Sequence, residues 1–230
     1  PFGGEVYPLY INSDGMLATQ FAGTVNVSQD AQNWTKIYES AINFKIGYND
    51  KFYVQDNNAS IRVSSNAGAS WRLLPKTKPD WSLAATTIDQ NGVFYVTEGD
   101  KLSISTDEGQ TWQNVGFDFN GAAQRVETDS ENTLFVYGDN RVYKSTDNGV
   151  TWQSTFQTQS VIRYLFVASN NTLYLGTTGT TFKSIDKGNT WQATTFPQFR
   201  ALYESPQGWL FGITATPEEP GDGSIFLSTN

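Results

Sequence analysis

The groups in this 230-residue chain that could act on a ligand are carboxylates, tyrosines and a handful of arginines. There is no His and no Cys, which removes His-based triads and metal sites, the usual near-neutral general base, thiol nucleophiles and zinc or iron–sulfur ligands. Only six Arg occur, and three of them, Arg125, Arg163 and Arg200, stand at nearly equivalent places in successive stretches of the chain. Guanidinium forks favour a two-pronged grip on carboxylate or sulfate. These three, with Tyr164 and Tyr203 nearby, are therefore candidates for an anionic-ligand pocket. The competing reading pairs them with local carboxylates such as Glu127 and Glu204, or lays their stems over apolar surface. Strand alternation also allows Arg125 to point away from the other two.

Trp81, in Lys78-Pro79-Asp80-Trp81, is a further candidate. It would stack on a sugar, anchor a protein partner or cap local apolar surface. Among carboxylates, Asp50, Asp80, Glu98, Asp129 and Glu131 fall near loops or strand starts. An inverting glycosidase needs two of them about 6.5–9.5 Å apart, but nothing in their spacing selects a pair, and solvated loop carboxylates are the plainer reading. No catalytic residue, metal ligand or cofactor site is assigned.

A balance of 15 basic against 23 acidic residues gives a net charge of −8, which argues against nucleic-acid or anionic-membrane partners. No run approaches the roughly 20 apolar residues that span a bilayer. The chain starts at Pro1 without a signal-like segment, as expected of a mature or trimmed piece of a longer, extracytoplasmic protein.

What must position these residues is a repeat. Ser105-Thr106-Asp107-Glu108-Gly109-Gln110-Thr111-Trp112 recurs as Ser145 to Trp152, with Asp147 and Gly149, and as Ser184 to Trp191, with Asp186 and Gly188. The shared form is S-x-D-x-G-x-T-W. Ser64 to Trp71 and Ser28 to Trp34 are degraded copies, and Ser228 opens a sixth. The leading serines at 28, 64, 105, 145, 184 and 228 give steps of 36, 41, 40, 39 and 44. Such a period is the length of a four-stranded propeller blade. Within each period, short runs rich in β-branched and aromatic residues alternate with Gly, Asn, Asp and Ser, and no sustained helical stripe appears.

The motif puts a carboxylate and a hydroxyl where short side chains accept backbone N–H bonds, a Gly where positive φ is needed, and a Trp at the opening of the outer strand. It resembles the Asp-box, or bacterial neuraminidase repeat, of sialidases, xyloglucanase-type glycosidases, sortilin-like receptor domains and photosystem II assembly propellers. In those families the box lies on outer hairpins away from ligand, so the resemblance implies a structural role for Ser105, Asp107, Gly109, Trp112, Ser145, Asp147, Gly149, Trp152, Ser184, Asp186, Gly188 and Trp191. Sialidases also grip a substrate carboxylate with three arginines, but they need an Arg-Ile-Pro type segment, a Tyr with a Glu partner and an acid Asp. Here Arg62 stands instead as Ile61-Arg62-Val63, in a third strand.

The expectation is an all-β chain: one β-propeller of about six four-stranded antiparallel blades, the last incomplete, with units at 5–39, 40–79, 80–118, 119–157, 158–197 and 198–230. The expected role is non-catalytic recognition of a protein or carbohydrate, anionic in the three-arginine reading, without nucleic acid or membrane insertion. The alternative is a glycoside hydrolase of sialidase or xyloglucanase type.

Overall fold

A computed structural model describes residues 9–47, 49–75, 77, 81–99, 101–120, 124–204, 208–214 and 225–228, with the side chains of 9, 200, 201, 213, 214 and 225–228 excepted. Among these residues six sheets follow one another along the chain, each a meander whose sheet neighbours are also chain neighbours. The first holds β1 (Leu9–Ile11), β2 (Leu17–Phe21), β3 (Thr24–Ser28) and β4 (Thr35–Glu39). The second holds β5 (Ala41–Ile46), β6 (Phe52–Asp56), β7 (Ile61–Ser64) and β8 (Arg72–Leu73). The third holds β9 (Thr86–Ile88), β10 (Phe94–Glu98), β11 (Lys101–Ser105) and β12 (Gln113–Asn114), preceded by the 3-10 turn η1 (Leu83–Ala85). The fourth holds β13 (Arg125–Thr128), β14 (Leu134–Gly138), β15 (Arg141–Ser145) and β16 (Gln153–Gln157). The fifth holds β17 (Ile162–Val167), β18 (Leu173–Thr177), β19 (Thr181–Ser184) and β20 (Gln192–Ala193). The sixth has three strands among the described residues, β21 (Phe199–Glu204), β22 (Leu210–Thr214) and β23 (Ile225–Ser228), so the last blade is incomplete as the sequence predicts.

The chain divides into two compact units, one of residues 1–96 and 103–114, the other of 97–102 and 115–230. In the first, the apolar faces of sheets one and two close around Val25, Phe44, Phe52 and Val54, and those of sheets two and three around Tyr53, Val63, Trp81 and Phe94. In the second, sheets four and five close around Phe135, Tyr137, Leu165 and Leu175, and sheets five and six around Tyr174, Phe199, Leu202 and Leu210. Each core is a sandwich between successive sheets. The second strands β6, β14 and β18 are buried along their whole length. A strand covered on both faces has no reason to alternate polar and apolar residues, and these read as near-continuous runs. The short fourth strands β8, β12 and β20 are exposed.

Turn chemistry sets the register. The residue two before each second strand, Gly15, Asp50, Gly92, Asn132, Asn171 or Gly208, has positive φ in all six repeats. Gly, Asn and Asp tolerate that region best. Neighbouring hairpins are then latched together. Ser13 donates its N–H to Asp50 Oδ1 at 2.9 Å and its hydroxyl to Oδ2, and Ser130 donates both groups to Asn171 Oδ1 at 3.1 and 2.8 Å.

Candidate functional site

First strands lie side by side within each unit: β1 beside β5, and β17 between β13 and β21. In the second unit the starts of β13 and β17 meet at one turn, the β14–β15 connection. Asp139 there takes a hydrogen bond from Gln124 Nε2 on Oδ1 at 2.5 Å and one from the Ile162 N–H on its carbonyl at 2.6 Å. The starts of β17 and β21 are joined in the same way through the β18–β19 connection. Thr178 N–H donates to the Val161 carbonyl at 2.9 Å, and Gln198 Nε2 donates to the Gly179 carbonyl at 3.3 Å. Arg125, Arg163 and the backbone of Arg200 therefore gather at one end of three adjacent strands. The Arg200 side chain lies outside the described residues.

The ladders add a feature that residue types alone do not reveal. Register slips by one residue between Ile162 and Tyr164, between Phe199 and Ala201, and between Ala41 and Asn43. Arg163, Arg200 and Ile42 are the extra residues of three bulges at matching positions. A bulge leaves its extra residue unpaired in the ladder and re-aims its side chain, and such irregularities concentrate near binding sites. Arg163 is exposed and forms no ion pair among the described residues. Exposed Val161, at 56 %, supplies apolar surface beside it. Arg125, also exposed, is instead in regular register opposite Tyr137. In the third repeat the matching positions, Ala84 and Ala85, lie in η1 rather than in a strand, with Ser82 Oγ accepting the Ala84 N–H.

The remaining candidates divide. Tyr164 is half-buried with its ring over Gly176, so close that a Cβ there would fall 2.0 Å from Cε1. Burial pushes the Tyr164 phenol up. Tyr203 is half-buried opposite Phe211, and burial pushes its phenol up as well. Of the readings of Trp81, its burial removes the sugar platform and the partner anchor and leaves apolar packing: it is 3 % exposed, inside the core between sheets two and three, with Nε1 donating to Thr86 Oγ1 at 3.1 Å.

Most of the carboxylates are engaged in holding turns. Asp50 accepts from Ser13, Asp129 Oδ1 accepts the Glu131 and Thr133 N–H groups, and Glu131 pairs with Lys187. Asp129 and Glu131 follow β13, whose other end carries Arg125, so about 13 Å of strand separates them from the arginines. Asp80 lies outside the described residues, and Glu98 is partly buried at the end of β10. Arg62 is tied to Asp56 at 2.5 Å and to the Tyr38 hydroxyl at 3.0 Å. No group of three or more acidic residues that could hold a metal is found among the described residues.

The repeated turn is built the same way three times. Ser105, Ser145 and Ser184 donate Oγ–H to Asp107, Asp147 and Asp186 at 2.7–2.8 Å and accept the Gly109, Gly149 and Gly188 N–H at 2.8–2.9 Å. The other carboxylate oxygen takes the hydroxyl of Thr111, Thr151 or Thr190 at 2.5–2.7 Å. Those Thr hydroxyls, followed by the Thr N–H groups and the Ser hydroxyls, hold each Asp down from 3.8 to about 2. A carboxyl depressed on folding adds stability above its unfolded pKa and loses it as pH falls through its folded one. The melting temperature should accordingly drop between about pH 4 and pH 2. Replacing all three Asp by Asn should flatten that drop in a thermal melt series, and an unchanged slope would show that other carboxylates cause it.

Comparison with known proteins places this geometry among propellers. Residues 116–198 match the family model described as "DUF6242 beta propeller domain". No curated protein matches the chain. Among solved structures, YCF48 bound to D1 peptide is similar at TM-score 0.62 and 16 % identity over 86 % of this chain and 70 % of that one. A catalytically inactive virginiamycin B lyase from Staphylococcus aureus, solved with quinupristin, gives 0.67 and 15 % over 96 % and 83 %. The GH74 xyloglucanase from Xanthomonas campestris gives 0.70 and 16 % over 99 % of this chain, which spans only 44 % of the enzyme. At such identities the likeness is one of architecture, and with the six successive meanders it establishes the fold as a β-propeller with an incomplete last blade.

Proposed function

We propose that the chain is a non-catalytic binding module that takes an anionic group of a protein or glycan at the gathered starts of β13, β17 and β21. The observation that carries this reading is Arg163, exposed on a bulge, without an ion pair among the described residues, and held next to the start of β13 by the Asp139 turn. An Arg kept out of local pairing retains its fork for a ligand. On this reading the repeated turns are Asp-boxes with a structural role, since the hydroxyl and carboxylate of each are saturated by the turn itself. The solved complex of YCF48 with a peptide supports binding as a use of this architecture. Engagement of Asp50, Asp129 and Glu131 in turns weighs against a glycosidase pair at the same end. We place the parent protein outside the cytoplasm. The test is to screen the chain on arrays of acidic peptides and glycans while assaying xyloglucan and sialyl-glycan hydrolysis. Retention of an acidic ligand without turnover is expected, whereas turnover would move the protein to the hydrolases and a preference for neutral ligands would remove the anion site.

A further inference from the structure

A second polar site lies in the first unit, built from residues other than those of the arginine-bearing strand starts. Lys51, Val63, Ser65, Ser70, Trp71 and Arg72 line a pocket of about 290 Å³. Its two cations share one carboxylate: Lys51 Nζ donates to Glu108 Oε1 at 3.1 Å, and Arg72 Nη2 donates to Glu108 Oε2. Glu108 is fixed by its own turn, at φ 57 immediately before Gly109 at φ 83. Among the described residues, two positive groups are ion-paired to one negative here, which leaves a positive charge in excess in a chain of net charge −8. An anion placed here would complete an alternating array, and charge-assisted bonds to a guanidinium are among the stronger ones.

The other walls say what kind of anion. Trp71 is held rigidly, its Nε1 donating to the Ile37 carbonyl at 3.2 Å and its ring edge-on to Tyr38 at 5.1 Å. Ser65 is exposed, and Ser70 Oγ accepts from Asn66 Nδ2 at 2.9 Å, which leaves its own proton to donate. A fixed indole, two hydroxyls and an excess cation match a ring with an apolar C–H face, several hydroxyls and one carboxylate. The volume stands at the lower end of the range of about 300–1,000 Å³ found for small-molecule pockets, enough for one sugar ring. The geometry points to a binding site for a single acidic sugar of the hexuronate class, with its carboxylate on Arg72 and Lys51 and its ring against Trp71.

The probe is sodium glucuronate, titrated into the whole chain at low ionic strength and followed by calorimetry and tryptophan fluorescence. Saturable binding is expected, weakened about tenfold when glucose or acetate replaces it and about tenfold by Arg72→Ala. Ser70→Ala leaves the ion pairs intact and should weaken binding about threefold, which keeps the test informative if Arg72→Ala alters the melting temperature. Glucuronate held instead at the arginine-bearing strand starts of the other unit would be weakened by Arg163→Ala and not by Arg72→Ala, so failure here is separable from failure of that reading. The site is refuted by absence of saturable binding, by equal affinity for glucose, by equal affinity for N-acetylglutamate, or by insensitivity to Arg72→Ala and Ser70→Ala alike.

Discussion

Trp81→Ala should lower the unfolding free energy by about 3–5 kcal/mol, the range for emptying a large aromatic from a core. The ring sits 5.6 Å from Phe94 and 5.1 Å from Trp112, centroid to centroid, and is almost wholly removed from water. Its Nε1 engages the Thr86 hydroxyl, and its carbonyl accepts from the buried Gln55 at 3.4 Å. Gln55 also receives the Leu83 N–H at 3.1 Å, so the segment leading into η1 is anchored to sheet two through one amide. Truncation leaves a cavity that Gly109, directly against the ring, has no side chain to fill. Chemical denaturation followed by circular dichroism measures the effect. A loss below about 1 kcal/mol, the level of an ordinary surface substitution, would mean that Trp81 is not core.

Gly109→Ala should cost nearly as much, for a different reason. Gly109 has φ +83, and a Cβ built on it would lie 2.6 Å from two carbons of the Trp81 ring. The left-handed region costs a residue with a Cβ about 1–2 kcal/mol, and forcing a methyl into a packed core costs about 1–3 kcal/mol more. Gly99→Ala separates the two contributions, because Gly99 has φ +61 and nothing within 4 Å of the added carbon. The expected order is a small loss for Gly99→Ala and a loss of about 2–5 kcal/mol for Gly109→Ala in the same urea titration. Equal losses would show that the Trp81 contact is looser than described.

These two residues also show what a sequence discloses and what it conceals. The forty-residue period, the glycines of the repeated turn and the Gly, Asn or Asp before each second strand were legible, because each marks a backbone conformation that few residue types tolerate. The runs of β6, β14 and β18 were legible as strands because burial on both faces favours apolar and β-prone residues, although β6 ends in the buried polar pair Gln55 and Asp56. Trp81 was not legible as core. It follows a Pro-containing segment that reads as a loop, and its burial depends on a bare glycine contributed by a hairpin much later in the chain.

The candidate site was legible only in part. Three arginines near first-strand starts could be seen, but their apparent equivalence hid two different situations. Arg163 occupies a bulge, whereas Arg125 keeps regular register with Tyr137. A slip in a ladder is decided by hydrogen bonding between two strands, and no residue type announces it. Nor does any local pattern reveal that Asp139 ties the starts of β13 and β17 together, because its partners are Gln124, just before β13, and Ile162, the first residue of β17. The role of Glu108 was equally hidden: within the repeated turn it occupies a variable position, yet it joins Lys51 to Arg72.

The most direct test is the affinity of an acidic ligand retained on the arrays, measured by isothermal titration for the unaltered chain, Arg163→Ala and Arg163→Ala with Arg200→Ala. Loss of one charge-assisted contact should weaken binding about tenfold, and loss of both about a hundredfold, with the melting temperature of Arg163→Ala unchanged because Arg163 is exposed on its bulge. Undiminished affinity in the double variant would contradict the assignment of recognition to these strand starts.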